Sequence, residues 1–279
     1  MLKILFTTDF SVTANNAFLY ALHMCENYKG ELHVLHSYAP DVTKVKTNDL
    51  DSLTLNAFDE YQTEVQMMRK HIEALNLVHV EVKFILEEGE LVQNVQELLT
   101  KERYDLMIMG TNGKSGFENR ILGSKTMAVI KNVKIPVISV PHLSKFEGID
   151  AVGFTTIYDE LDLIALKSMA PYAKENNADI YCLHVNKTET EQENTVMADW
   201  KNLFSEEPVI FVERKGEDVV KTAFDFMEQQ SLDIMSCVTR NKSLIEELFY
   251  SSVAKNLAYH KRIPLLTYHE NFLNSIKEI

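Results

Sequence analysis

The chain has 279 residues, of which 46% are hydrophobic and 25% charged, and its net charge is −13. This composition is typical of a folded globular protein and excludes a disordered chain. The negative charge argues against a nucleic-acid or anionic-membrane surface, because such partners attract basic patches. Residues 1–145 carry a net charge of −3 and residues 146–279 carry −10.

Two further features concern the location of the protein. No apolar run is long enough to span a bilayer, and the start MLKILFTTDF has too short an apolar part for a signal peptide. Cys25, Cys182 and Cys237 lie far apart and in no metal or redox spacing, so we expect buried thiols in a reducing compartment. We therefore expect a cytoplasmic protein.

In chain order, the pattern predicts a first strand in LKILFT and a helix over Ala14–Asn27 with Ser11 as its cap. The second strand is ELHVLHSY, followed by a helix around Leu53–Leu75. The third is HVEVKFIL, followed by a helix over Leu91–Lys101. The fourth is YDLMIM, a short helix begins near Ser124, and IPVISV is the fifth strand. Apolar strands separated by helices predict a parallel sheet covered on both faces.

The chain contains this unit twice. FTT at Phe6–Thr8 recurs at Phe154–Thr156, and residues 111–137 align with residues 239–265. The sequence therefore predicts an α/β protein with two tandem, doubly wound, parallel five-stranded sheets. We place the domains at residues 1–144 and 145–279.

A glycine-rich segment follows the predicted fourth strand. Four of the nine glycines lie at positions 110, 113, 116 and 123. Ligands of such sheets bind beyond the carboxyl ends of the strands, and glycine lets them approach the main chain. The first amides of the helix after Gly123, the hydroxyls of Ser124 and Thr126 and the nearby cations favour a phosphate. The alternative is a solvated basic loop that merely turns.

The spacing of these glycines distinguishes between phosphate-binding motifs. A P-loop would need a glycine five positions before Gly113, where Ile108 stands, and the dinucleotide fingerprint is missing. Gly110, Gly113 and Gly123-Ser124, separated by two and nine residues, instead resemble the nucleotide-binding signature of the universal stress protein family. The strand ILFTTD, the ending LHSY and the terminal IPVISVP are similar to the layout of that family.

The resemblance implies a Rossmann-like fold, related to adenine nucleotide alpha hydrolases, that binds ATP, ADP or AMP, with or without Mg²⁺. It assigns Thr8 and Asp9 to ribose and adenine, the main chain of Ser37 to the adenine edge, and Met109 and Gly110 to the sugar and base. The residues that it assigns to the phosphates are Gly113, Gly123, Ser124, Lys125 and Thr126. Two alternatives stay open: Asp9 as a cap at the helix entry, and Lys125 as a solvated side chain.

The second copy departs from this signature. Val238, Asn241 and Ser251 stand opposite the three glycines, and Ile157 stands opposite Asp9, although Ser252 persists opposite Ser124. Side chains there would obstruct contact between phosphate and main chain, so we expect no nucleotide in the second unit.

Units of this family often associate through their last strands. The resemblance thus implies that IPVISV and IPLLTY pair and make the chain an intrachain pseudo-dimer, with a further homodimer left open. The alternative is two flexibly linked units.

Three functions remain open: a nucleotide-dependent stress-response or regulatory protein with an unidentified protein partner, a slow ATPase or nucleotide-transferring enzyme, and a ligand-free scaffold. No catalytic residue or metal site is predicted. His33 and His36 should point to opposite faces of a strand, and His36 recurs as His184, which favours a packing role.

Overall fold

A computed structural model describes residues 1–39, 50–111, 122–186, 191–239 and 262–277. The first half contains β1 (Lys3–Thr8), α1 (Val12–Tyr28), β2 (Glu31–Tyr38), α2 (Leu50–Ala74), β3 (Glu81–Glu88), α3 (Leu91–Lys101), β4 (Leu106–Gly110), α4 (Ser124–Asn132) and β5 (Val137–Val140). The second half contains β6 (Ala151–Thr156), α5 (Glu160–Glu175), β7 (Asp179–Asn186), α6 (Glu191–Leu203), β8 (Val209–Lys215), α7 (Val219–Gln230), β9 (Ile234–Val238), β10 (Leu265–Tyr268) and α8 (Glu270–Lys277). The predicted alternation of strands and helices is confirmed.

All ten strands form one continuous sheet in the order β3-β2-β1-β4-β5-β10-β9-β6-β7-β8. Neighbouring strands are parallel except at the junction of the halves, where β5 and β10 are antiparallel and Leu265 lies opposite Ser139. The predicted α/β class and the expected pairing of the two last strands are therefore present. Because the junction is antiparallel, the carboxyl ends of the strands lie on opposite edges of the sheet in the two halves.

Helices cover both faces of the sheet. They are required there because successive side chains of a strand point to opposite faces, and the strands carry apolar side chains on both. Along β1, Ile4 and Phe6 belong to the core under α1 and α2, whereas Leu5 belongs to the core under α3 and α4. α1 begins where the Ser11 side chain accepts a hydrogen bond from the Ala14 main-chain nitrogen at 3.1 Å, which confirms the predicted cap. Among the described residues, no helix has both the length and the apolar character of a membrane span.

The segment between the halves packs against α1. The Asn16 side chain donates hydrogen bonds to the carbonyl oxygens of Pro141 and Ser144, at 2.9 and 2.8 Å. The ring of Phe146 lies edge-on to those of Tyr20 and Tyr28, with centroids 5.2 and 6.1 Å away. These contacts, together with the strand junction, argue against two flexibly linked units.

Candidate functional site

The strand order creates a crevice between the carboxyl ends of β1 and β4. β2 and β3 lie on one side of β1, and β4 and β5 lie on the other, so the chain connections diverge at this point. Thr7 pairs with Met109 across the two strands, and Thr8, Asp9 and Gly110 therefore end at the same edge. The edge brings together residues that lie a hundred positions apart in the sequence.

A tight turn joins β1 to α1 at this edge. The Thr8 hydroxyl oxygen accepts a hydrogen bond from the Phe10 main-chain nitrogen at 2.9 Å, and Phe10 adopts a left-handed backbone with φ of 55°. The carboxylate of Asp9 accepts from the main-chain nitrogen of Ser11 at 3.1 Å. Asp9 thus stabilises the turn, while Ser11 is the residue that caps α1. Asp9 is half-buried and follows β1 directly at its carboxyl end.

Gly110 allows α1 to pass close to β4. A Cβ atom at this position would lie 3.2 Å from the main-chain nitrogen of Ala14 and 3.2 Å from the carbonyl carbon of Thr13. These contacts are tighter than most real Cβ contacts, so a side chain at residue 110 would require the main chain of α1 to shift by a few tenths of an ångström. The glycine that the sequence assigns to a ligand therefore also has a structural role.

The start of α4 is exposed at the same edge. Gly123 precedes the helix with φ of −74° and supplies no side-chain cap, and its main-chain nitrogen donates to the Thr111 carbonyl oxygen at 2.6 Å. Ser124 and Lys125, the first two helical residues, are exposed. The first amides of a helix have no acceptor within it and carry its positive dipole end. An anion can therefore approach both these amides and the Lys125 ammonium.

Two predicted site residues turn inward instead. The Thr126 hydroxyl donates to the carbonyl oxygens of Gly110 and Thr111, at 3.1 and 3.0 Å, and the side chain is buried. The Met109 side chain is 5% exposed and packs in the core under α3 and α4. Both side chains are buried, and they hold the end of β4 and the start of α4 in place. Neither is exposed at the carboxyl edge of the sheet. Gly113, the remaining predicted phosphate contact, lies outside the described residues.

A cleft of about 210 Å³ connects the end of β2 with the start of α4. Its lining includes Ser37 and Lys125, which the family resemblance assigns to opposite ends of a nucleotide, together with the first turn of α3. The Ser37 hydroxyl accepts a hydrogen bond from the Asn94 side-chain amide at 3.1 Å. This bond holds α3 against β2 beside Gly89, which has φ of 121°. Ser37 and Lys125 thus line one continuous cleft.

The second half repeats the backbone of the β1–α1 turn. The hydroxyl of Thr156 accepts from the Tyr158 nitrogen at 2.8 Å, and Tyr158 has φ of 59°. The residue between them is Ile157, which is 53% exposed and offers no hydrogen-bonding side chain in place of Asp9. Val238, the counterpart of Gly110, is buried at the end of β9. The backbone of the turn is therefore preserved in the second half. The carboxylate of Asp9 and the glycine at position 110 have no equivalent there.

Sequence reasoning missed a carboxylate that occupies this second turn. Asp162, 3% exposed, accepts hydrogen bonds from the Thr156 hydroxyl at 3.0 Å and the Ile157 nitrogen at 2.9 Å. Its counterpart in the first half is Ala14. The second half thus supplies an internal carboxylate to its turn, at the position where the first half has Ala14. The alignment of Ala14 with Asp162 was the available signal.

The duplicated histidine joins neighbouring strands in both halves. Nδ1 of His36 donates to the Thr8 carbonyl oxygen, and Nδ1 of His184 donates to that of Thr156, both at 2.8 Å. The predicted packing role is confirmed by these contacts. His33 lies on the other face of β2, where its Nδ1 is 2.8 Å from the Tyr104 hydroxyl. The described part of the chain holds no group of three or more His, Cys, Asp or Glu residues arranged to bind a metal.

Comparison with known proteins agrees with this architecture. A family model described as the universal stress protein family matches residues 1–141. Universal stress protein MJ0531 of Methanocaldococcus jannaschii is 28% identical over 146 residues, covering 51% of this chain and 84% of the relative. Universal stress protein MJ0577 of the same organism is 29% identical over 153 residues, covering 50% and 93%.

A solved structure extends the likeness to both halves. A universal stress protein from Archaeoglobus fulgidus aligns with 96% of this chain and 98% of its own, with a TM-score of 0.73 and 17% identity. At this identity the likeness shows a shared fold. Because the family model covers just over half of the residues and the tandem fold is shared, the chain belongs to the universal stress protein family.

Proposed function

We propose that the first half binds an adenine nucleotide and that binding changes the surface that the protein presents to a partner in a stress response or in regulation. The observation that carries this proposal is the meeting of Asp9, Gly110 and the exposed start of α4 at one edge of the sheet. Membership of the universal stress protein family supports it. ATP, ADP and AMP are the candidate ligands.

The chemistry of the edge fits the two ends of such a ligand. A carboxylate has several acceptor sites, so Asp9 can receive a ribose hydroxyl while it also stabilises its own turn. The opening amides of α4, the Ser124 hydroxyl and Lys125 can hold the phosphates. The cleft of about 210 Å³ is smaller than typical ligand pockets, so it would enclose part of the nucleotide while the rest lies along the edge. Any Mg²⁺ would be held mainly by the phosphates.

The inward residues take positioning roles in this proposal. The Met109 side chain packs in the core between the sheet and α3 and α4. The Thr126 hydroxyl holds the first turn of α4 against the end of β4. The ligand would contact Thr8, Asp9, Ser37, Gly110, Gly113, Gly123, Ser124 and Lys125. The second half, which we treat as a separate domain from residue 145, would bind no nucleotide at the equivalent turn because Asp162 and Val238 fill it.

We propose the cytoplasm as the location of this activity. Cys25, Cys182 and Cys237 are all buried free thiols. Burial raises the pKa of Cys25 and of Cys237 to about 12, and raises that of Cys182 as well. Thiols that stay protonated are poor nucleophiles and are compatible with a reducing compartment.

Two measurements test nucleotide binding. Mass spectrometry of the small molecules released from denatured, purified protein should detect an adenine nucleotide. Thermal unfolding should also shift upward with ATP, because a ligand at a hundred times its dissociation constant adds about 2.7 kcal/mol to stability. Gly113→Val and Gly123→Val should abolish the shift, whereas Asn241→Val, at the aligned position of the second half, should leave it intact. An equal loss in all three variants would refute the assignment.

A third measurement separates binding from hydrolysis. Steady-state release of phosphate from ATP should be compared between the wild type, Asp9→Ala and Ser124→Ala. A regulatory binding protein shows a thermal shift without turnover, whereas an ATPase shows turnover that these substitutions reduce. Absence of both a thermal shift and a bound nucleotide would favour the ligand-free scaffold.

A further inference from the structure

A larger cleft opens at the amino ends of β4 and β5, on the edge of the first half opposite to the proposed nucleotide site. Its volume is about 640 Å³, and it lies between the ends of α3 and α4. Its lining includes the cations Lys101, Arg103 and Lys134 and the less polar Leu99, Tyr104 and Ile135. None of the residues that line it belongs to the proposed nucleotide site.

The three cations of the cleft lack partners within the described part of the chain. Lys101, Arg103 and Lys134 are exposed, and none forms an ion pair or side-chain hydrogen bond with a residue that the structure describes. The one carboxylate in the lining, Glu102, is already paired with Lys3 at 2.9 Å and with Lys83 at 3.4 Å. The cleft therefore presents uncompensated positive charge.

The negative dipole ends of α3 and α4 neutralise only part of the positive charge of the cleft. α3 and α4 both end beside the cleft, and cations near helix ends are commonly explained by the negative dipole there. Each helix end is equivalent to about half a negative charge. Three full positive charges exceed this, so the cleft keeps a net attraction for anions.

Two of the three cations that line the cleft have no charged counterpart in the second half. At the aligned positions the second half has Gln229 for Lys101, Ser231 for Arg103 and Arg262 for Lys134. The chain as a whole has a net charge of −13. Since the second copy keeps a cation at one of these three positions, the full set of three is not a general consequence of the fold.

From this geometry we infer that the cleft docks an acidic peptide segment of a protein partner. The cations stand exposed at the rim rather than buried, so they suit carboxylates that remain near solvent. The half-buried Leu99 and Ile135 can receive apolar side chains between those carboxylates. The buried Tyr104 hydroxyl is already engaged with His33 at 2.8 Å. An enclosed small-molecule site would instead present buried polar groups directed at the ligand.

The inference is tested by fluorescence anisotropy with the full-length protein and a short fluorescein-labelled peptide of alternating glutamate and leucine. The peptide should bind at an ionic strength of about 0.01 M and more weakly at about 0.15 M. The combined variant Lys101→Glu, Arg103→Glu, Lys134→Glu should weaken binding at least about tenfold. A peptide with glutamine in place of glutamate should show a similar loss.

A matched variant controls for total charge. Lys145, Lys167 and Lys201 are exposed elsewhere on the chain, and their combined change to glutamate alters the net charge equally. This control should retain binding within about twofold, and saturating ATP should not displace the peptide from the wild type. If the cleft variant unfolds at a lower temperature than the wild type, single changes to glutamine at the same three positions replace it.

Three outcomes would overturn the inference. The first is equal weakening by the cleft variant and the control, which would indicate nonspecific charge attraction. The second is equal binding of the glutamine peptide, which would indicate an apolar interaction. The third is displacement of the peptide by inorganic tripolyphosphate in the wild type but not in the control variant, which would indicate a small-anion site.

Discussion

The Thr126 hydroxyl donates a hydrogen bond to the main-chain carbonyl oxygen of Gly110 at 3.1 Å, and so joins the first turn of α4 to the end of β4. Thr126→Val keeps the shape of the side chain but removes the donor. We expect the free energy of unfolding in urea to fall by about 0.5–1.5 kcal/mol, because the bonds of this hydroxyl to the Gly110 and Thr111 carbonyl oxygens are lost while Thr111 keeps the Gly123 amide as a donor. Thr126→Ser should retain most of the stability. Unchanged stability in the valine variant, with loss of nucleotide binding, would instead indicate contact between the hydroxyl and the ligand.

Substitution of Gly110 should destabilise the protein without any ligand present. In Gly110→Val the new side chain would meet the main chain of Thr13 and Ala14. We expect a loss of about 1–3 kcal/mol in the free energy of unfolding, as for other overpacked sites. Ser124→Ala, at an exposed position of the same edge, is the control and should stay within about 0.5 kcal/mol of the wild type. A fully stable valine variant would mean that α1 moves away from β4 at little cost.

The internal carboxylate of the second half should contribute to stability. Asp162→Ala removes an acceptor from the Thr156 hydroxyl and the Ile157 nitrogen. Hydrogen bonds to charged groups contribute about 1.5–3 kcal/mol, and we expect a loss of this size in chemical denaturation. Asp199→Ala, which removes an exposed aspartate from α6, should have little effect. Equal stability of both variants would show that water satisfies the turn when Asp162 is absent.

The ion pairs of Glu102 predict a specific pH dependence. The Lys3 ammonium, foremost through a hydrogen bond, lowers the pKa of Glu102 from 4.5 to about 2. Between these values the unfolded chain binds a proton that the folded chain does not, so the contribution of Glu102 to stability is present above about pH 4.5 and is lost as the pH falls towards 2. The side chain is a third exposed, and solvent screening limits the contribution to about 1 kcal/mol.

The measurement is urea unfolding of the wild type and Glu102→Gln over a series of pH values. The variant should be less stable by about 1 kcal/mol at neutral pH, and the difference should narrow as the pH falls below about 5. Glu147→Gln alters the net charge equally at an exposed position and should show no such convergence. A difference that stays constant with pH would mean that Glu102 acts through packing.

The fold and the location of the candidate site could be predicted from sequence because their signals are local or repeated. Apolar strands separated by helices give a parallel sheet. The carboxyl ends of its strands lie on the same edge, which brings Asp9, Gly110 and Ser124 together there. The directions of the Met109 and Thr126 side chains could not be predicted. They depend on which face of the sheet the strand presents to α3 and α4, and on how α4 leaves the glycine-rich segment.

The role of Asp162 and the cleft at the amino edge depend on contacts distant in sequence. An aspartate in the first turn of a helix is ordinarily explained by the helix dipole, and only the folded turn shows its bonds to Thr156 and Ile157. The cleft combines the segments around Arg103 and Lys134, which are close only because β4 and β5 are neighbours. Neither segment has a distinctive spacing by itself.

The antiparallel contact between β5 and β10 has a consequence for assembly. Each strand covers the edge of the other, and both belong to one polypeptide, so this closure is unimolecular. Dilution, which would separate two subunits joined by the same strands, should leave it intact. A second copy of the chain would have to attach through some other surface, since neither β5 nor β10 has an edge left to offer.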